Sequence, residues 1–351
     1  MKAAVMKEFG KPLAVVNDWK DPECGPADAV LRVEANGICR SDWHLWQGGW
    51  EWVGFVPPLP TVLGHEYCGV VEEVGSEVRK FKKGQRVVVP FHHSCGVCES
   101  CQAGHQNVCS DLRIPAFHYS GGFGRYAQVA RADVNLVPLP EPISFEAAAS
   151  LGCRFMTAFH GVAHQAGVKP GEWVAVFGCG GVGLAAVEIA TALGANVIAV
   201  SRGAKKLALA RELGAVHTVR ADGAAVAEEI VELTGGGVHV SVDALGTSAT
   251  TLPAIAALRT RGRHVRIGMS GKEDRGQISL PVDVFVAREL TFVGSFGMQA
   301  QRYPEMLRMV VAGQLHPEKL VERRIPIEQA SDVLQAMSGF GTVGVAVINQ
   351  Y

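Results

Sequence analysis

Val174-Ala-Val-Phe-Gly178-Cys-Gly180-Gly181-Val182-Gly183 passes without interruption from an apolar run into a glycine-rich loop. Val182–Leu193 then reads as a helix. The G-x-G-x-x-G spacing gains meaning from that strand–loop–helix setting. Gly178 is placed for a tight turn and Gly180 for close approach of the backbone to a pyrophosphate. Gly183 is placed for close packing of helix on strand. The first helical N–H groups, at Gly181 and Val182, then face the phosphates. A dinucleotide-binding unit is expected here.

Downstream, Val197–Val200 reads as a strand and Ala204–Leu213 as a helix. Further strands are expected at His217–Val219, Val238–Asp243, His264–Gly268 and Leu290–Gly294, with helices between them. This alternation predicts a doubly wound parallel sheet over residues 154–294, an α/β Rossmann arrangement. The second strand should end near a carboxylate if a ribose 2′-OH is to be held. It ends instead in Val200-Ser201-Arg202-Gly203, followed by Lys205 and Lys206. A hydroxyl and cations suit a 2′-phosphate. Ser201, Arg202 and Lys206 therefore predict a preference for NADP(H), with NAD(H) still possible.

Upstream, residues 1–153 hold short Val-containing runs broken by Gly and Pro, such as Ala29–Val33, Gly69–Val74 and Arg86–Val89. That texture predicts an irregular β domain. Residues 295–351 are mixed and are expected to return to it. The chain shows neither an internal repeat nor a low-complexity tract. Its 351 residues suggest about two domains. Lys+Arg at 33 nearly cancels Asp+Glu at 34, which argues against nucleic acid or an anionic membrane as the main partner. Lys2, Lys7 and Glu8 interrupt the start before an apolar signal core forms, and no run approaches the ~20 apolar residues of a membrane span. A cytoplasmic location is expected. Nine cysteines, an odd number, do not suggest a disulfide framework.

Four of them form Cys95-x2-Cys98-x2-Cys101-x7-Cys109, inside a lobe of about residues 91–110. Four thiolates in tetrahedral array make a closed structural zinc site; an iron–sulfur cluster suits the same donors. Cys39, His65 and Cys153 are scattered, and each alone reads as a buried core residue. Spacing does not connect them.

Gly37-Ile-Cys39-Arg40-Ser41-Asp42, Gly64-His65-Glu66, the four-cysteine lobe and the glycine loop occur in an order that resembles the zinc-containing alcohol dehydrogenases of the medium-chain dehydrogenase/reductase superfamily. The resemblance spans essentially the whole chain. It implies a GroES-like catalytic domain and a Rossmann cofactor domain, with two zinc ions per chain. Cys39, His65 and Cys153 then match the catalytic zinc ligands, with Glu66 as an exchangeable fourth. Cys95, Cys98, Cys101 and Cys109 match the structural ligands. Asp42 matches the carboxylate that orients the ligand histidine, Ser41 and His44 the proton relay, and Arg40 a pyrophosphate contact. The implied reaction is hydride transfer between an alcohol and NADP(H) or NAD(H), in a homodimer or homotetramer.

Trp43, Trp46, Trp50 and Trp52 follow Cys39 closely, and Phe91 precedes the lobe. They would either line an apolar pocket for aromatic or medium-chain primary alcohols or pack the domain and a subunit contact. A polyol or secondary-alcohol dehydrogenase and a zinc-free reductase of the same superfamily are the enzymatic alternatives. A non-catalytic zinc-binding interaction protein is the alternative from another class. Cys24, Cys68 and Cys179 are expected as buried small hydrophobes. His92, His93, His105 and His118 are assigned to the surface or to positions behind a ligand.

Overall fold

Trp173–Phe177 is a central strand of a six-stranded sheet in the computed structural model, which describes all residues except 222–224, 272–273 and 340. Every pairing in this sheet is parallel. The order is His217–Arg220, Asn196–Ser201, Trp173–Phe177, Val238–Asp243, Leu258–Arg266, Thr291–Gly294. Helices Gly181–Ala192, Ala204–Glu212, Val226–Thr234, Ser248–Ala256 and Val282–Arg288 lie between the strands in sequence. Central strands buried on both faces need side chains that are apolar throughout. Val174, Ala175, Val176 and Phe177, with Val197, Ile198, Ala199 and Val200, supply them. Each fully buried Val or Ile among them contributes ~1.5–3 kcal/mol. The strand order reverses beside Trp173–Phe177, so the loops there diverge and leave a crevice at the carboxyl ends. The Gly178–Gly183 loop lies at that point.

The strand expected at His264–Gly268 begins earlier, at Leu258, and ends at Arg266. Arg259, Thr260 and Arg261 on its first half are exposed. A search for apolar runs therefore saw only the buried half.

The chain divides into two compact units: Met1–Met156 with Gly297–Tyr351, and Thr157–Phe296. The parallel sheet belongs to the second. The first contains a seven-stranded sheet in which Ala29–Gly37 pairs antiparallel with Glu66–Val74, Tyr126–Val129 and the C-terminal Val345–Gln350. The register sets Gly37 opposite Glu66. Cys39 lies just past the first strand and His65 just before the second, so this pairing brings them together. Two register shifts interrupt the ladder, as expected of an irregular sheet. No helix among the described residues is long and apolar enough to cross a membrane.

Candidate active site and metal centres

Helix Arg40–Trp46 starts at Cys39, and Asp42 is the residue that ties the start down. Its fully buried carboxylate accepts from Cys39 N (2.9 Å) and Gly64 N (3.1 Å) and lies 3.0 Å from His65 Nδ1. That contact points His65 Nε2 the other way, where it is buried with no hydrogen-bond partner among the described residues. A buried ring nitrogen left bare costs about 1–3 kcal/mol unless something binds it. Facing it are the thiols of Cys39 and Cys153, 4.0 Å apart. Cys153 sits on a π-helical stretch, Leu151–Phe155, where Phe155 N donates five residues back to Ser150 O (3.3 Å). Such widened turns recur at functional sites. One donor atom each from Cys39, His65, Glu66 and Cys153 fits within 4.8 Å.

The electrostatics favour a thiolate at Cys39 and a thiol at Cys153, which the bond with Cys39 and burial push up. Cys39 is pushed well below the usual thiol range: Cys153 bonds to it and, against burial, Arg154 and His65 attract its negative form. His65 is moved well above its ordinary value; burial opposes this, but Asp42 and Cys39 outweigh it.

In the cysteine lobe, Cys95 and Cys101 sulfurs are 4.0 Å apart and those of Cys98 and Cys109 3.7 Å. Sulfurs about 2.3 Å from a common zinc ion form a tetrahedron with edges of about 3.8 Å. The lobe therefore has the size for a single ion. Backbone N–H groups of Val97, Cys98, Cys95 and Asp111 lie 3.2–3.4 Å from Cys95 or Cys109 sulfur. Similar bonds from Cys101 and Ser110 push Cys98 down to about 5.

His44 lies on the same short helix as Asp42, half-buried, its ring stacked on Trp50 at 4.7 Å. Burial first, then Arg40, pushes it down to about 4. Ser41 Oγ is 3.8 Å from Cys39 Sγ. Arg40 Nη1 donates to Met337 O (2.7 Å), and its guanidinium covers the Trp43 ring.

The four tryptophans part company. Trp46 is buried and donates to Lys11 O, and Trp43 donates to Ser338 Oγ, so both tie segments together. Trp50 is buried against Phe55 and Phe117, and Phe117 is edge-on to His65. Phe91 also meets the His65 ring edge-on. Trp52 is half-buried.

Sequence reasoning missed Phe55, Phe117 and Arg154. Arg154 directly follows Cys153, and a cation beside a candidate ligand was the available signal. It grips Glu66, with Nη2 2.6 Å from Oε2 and Nε 3.1 Å from Oε1.

His92 and His93 are buried, whereas His105 and His118 are exposed. One assignment needs correction. Cys68 and Cys179 are buried, but Cys24 is only half-buried, with its thiol 3.4 Å from Asp28 O.

In the second unit the glycines are placed for their geometry. Gly178 has φ +93°, and a Cβ on Gly183 would lie 1.7 Å from Gly178 O. A Cβ on Gly180 would meet nothing within 4 Å, so the helix N-terminus of Gly181 and Val182 is open. Ser201 ends its strand buried, Arg202 is exposed, and the Lys206 side chain packs beside Gly203.

Comparison with known proteins agrees with this architecture. The family described as "Alcohol dehydrogenase GroES-like domain" matches residues 25–141, and "Zinc-binding dehydrogenase" matches residues 181–312. An alcohol dehydrogenase from Geobacillus stearothermophilus is 35% identical over 338 residues, 96% of each chain. The solved alcohol dehydrogenase TADH from Thermus sp. ATN1 superposes with a TM-score of 0.91 at 30% identity, covering both chains completely. A zinc-binding dehydrogenase from Sinorhizobium meliloti 1021, solved with NADP bound, gives 0.86 at 32% identity over 99% of this chain and 98% of its own. The chain belongs to the zinc-type alcohol dehydrogenases of the medium-chain dehydrogenase/reductase superfamily. It is an alcohol oxidoreductase with a GroES-like domain and a Rossmann-type domain.

Proposed function

We propose that the enzyme interconverts aromatic or medium-chain primary alcohols and their aldehydes, with NADP(H) preferred to NAD(H) and two zinc ions per chain. The observation that carries this reading is the convergence of Cys39, His65 and Cys153 beside the Trp50–Phe117 wall. Those three residues would hold the catalytic ion. Cys95, Cys98, Cys101 and Cys109 would hold a structural one. When bound, zinc supplies Lewis acidity toward the alcohol oxygen and the nicotinamide accepts the hydride.

The chain's own groups do the rest. Asp42 fixes the His65 ring so that Nε2 faces the ion. Ser41, the hydroxyl beside the ligand set, receives the proton of the alcohol first, and His44 delivers it to water. Burial and then Arg40 hold His44 down to about 4, so at neutral pH its ring is neutral and has a nitrogen lone pair that can accept that proton. Arg40 exchanges the Met337 carbonyl for a cofactor phosphate, a stronger charge-assisted partner. Gly178, Gly180, Gly181, Val182 and Gly183 cradle the pyrophosphate, and Ser201, Arg202 and Lys206 bind the 2′-phosphate. Rings at Trp50, Phe55 and Phe117, stacked or edge-on to one another, make an apolar cluster on the His65 side of the ligand set. A polyol laid against it would leave hydroxyls unpaired.

A homodimer or homotetramer is supported by the last strand of the parallel sheet, Thr291–Gly294, which among the described residues has a sheet neighbour on one side only. Phe292 on this strand, and Val282 and Val286 on the helix Val282–Arg288 that precedes it, are exposed. Bare edges with apolar flanks invite pairing with another copy.

The test is cofactor reduction with benzyl alcohol, ethanol or sorbitol, under NADP⁺ and NAD⁺, before and after chelation. The expected pattern is fastest turnover with benzyl alcohol and NADP⁺, lost on chelation. Faster turnover of sorbitol overturns the substrate class, and faster turnover with NAD⁺ the cofactor preference. Chelator-resistant turnover overturns the catalytic zinc. Metal analysis should find about two zinc ions per chain, and light scattering a dimer or tetramer.

A further inference from the structure

Glu66 and Arg154 are both buried and face each other next to the ligand set. Arg154 approaches the carboxylate from three groups: its backbone N and Nε, each 3.1 Å from Oε1, and Nη2, 2.6 Å from Oε2. Nη2 also donates to Ile38 O (2.8 Å), the carbonyl of the peptide that leads into Cys39. Gly37 makes room for this grip, because a Cβ there would lie 2.6 Å from Glu66 Oε2. Even so, one carboxylate oxygen stays within 4.8 Å of a donor atom on each of Cys39, His65 and Cys153. Glu66 is therefore close enough to compete for an ion those three hold.

Charge decides which partner it takes. Two thiolates neutralise a divalent ion, and Glu66 and Arg154 neutralise each other. Removing the guanidinium would leave a buried carboxylate uncompensated. A buried carboxylate in that position takes up a proton or binds a cation, and an ion held by Cys39, His65 and Cys153 would lie within its reach.

We infer, on the catalytic-zinc reading above, that Arg154 is a positioning residue that holds Glu66 off the metal and so keeps the fourth coordination place open for the alcohol. The guanidinium acts through the carboxylate and touches no substrate.

The test uses cobalt(II) in place of zinc and reads the visible d–d spectrum. Parent, Arg154→Met, Arg154→Gln and the double variant Arg154→Met/Glu66→Gln are each compared with a Cys39→Ser counterpart. That counterpart retains only the four-sulfur site, and its spectrum is subtracted. In the parent, added imidazole should shift the remaining bands by entering the open place. In Arg154→Met and Arg154→Gln the bands should differ from the start and ignore imidazole. Release of metal to a chelator should slow about tenfold, the lower end of what one altered metal partner does to affinity. The double variant, which leaves no lone buried charge, should regain the imidazole response. Circular dichroism reports which variants are folded. A parent-like imidazole response in either folded single variant, or faster metal release from it, overturns the inference. A parent indistinguishable from its Cys39→Ser counterpart removes the catalytic-metal reading itself, and this inference with it.

Discussion

Cys95, Cys98, Cys101 and Cys109 lie within one short lobe, whereas Cys39, His65 and Cys153 are drawn from three distant segments of the same unit. The lobe offers sulfur only, and its charge is balanced locally by backbone N–H groups. The dispersed set mixes sulfur and nitrogen and is held by buried side chains, with Asp42 on one flank and the Glu66–Arg154 pair on the other. Four equivalent donors close a site. Three donors kept in place by a scaffold of charges leave room for a reactant. The difference is one of rigidity against access, and it can be probed from each side.

The largest effect is expected from removing one ligand at each place. Cys39→Ser should cost at least ~10³-fold in turnover, because the Lewis acid is lost, and lower zinc from about two ions per chain to about one. Cys98→Ser should also lose one ion, yet keep turnover within about tenfold and show its damage as a lower Tm. Equal loss of turnover in both would mean that the two places do not differ in kind.

Next comes the scaffold. Asp42→Asn should weaken metal binding at the dispersed site by about 10–100-fold and leave the lobe's affinity alone, as measured by competition with a chelator. The aromatic wall follows. Trp50→Ala should reduce kcat/KM for benzyl alcohol about tenfold, the loss of one aromatic contact, while ethanol is nearly unaffected. A parallel fall for both alcohols would assign Trp50 to packing alone.

The smallest effect at neutral pH separates acid release of metal from acid unfolding of the other unit. His264, on the strand Leu258–Arg266, is fully buried against Ser241 Oγ (2.9 Å), and burial first pushes it down to about 4. In the unfolded chain it titrates near ~6.5. The unfolded state therefore binds the extra proton between those values. The stabilisation is complete above the higher value and is lost as pH falls through the lower. His264→Asn should leave stability at pH 7 little changed and move the acid-unfolding midpoint of metal-free protein to lower pH. An unmoved midpoint would place the acid sensitivity elsewhere.

How much was legible in the sequence follows from how local each feature is. The strand at Trp173–Phe177 and its glycine loop could be read because a doubly buried strand must be apolar throughout, and a turn with positive φ under a closely packed helix must lack side chains. The polar half of Leu258–Arg266 could not, because an exposed strand leaves no apolar run. Phe55 and Phe117 carried no signal either, since a ring in a wall and a ring in a core are the same residue type. Arg154 directly follows Cys153, but its role depends on burial against Glu66, which the sequence does not show.

By itself the chain determined the two features whose parts are neighbours: the glycine turn at Gly178–Gly183 and the four-sulfur lobe. Only the tertiary structure decided what Cys39, His65, Glu66, Cys153 and Arg154 do together. The antiparallel register that sets Gly37 against Glu66 carries Cys39 to His65, and the turn at Leu151–Phe155 brings Cys153 and Arg154 to both. Contacts between distant segments depend on register and burial, which no local spacing encodes.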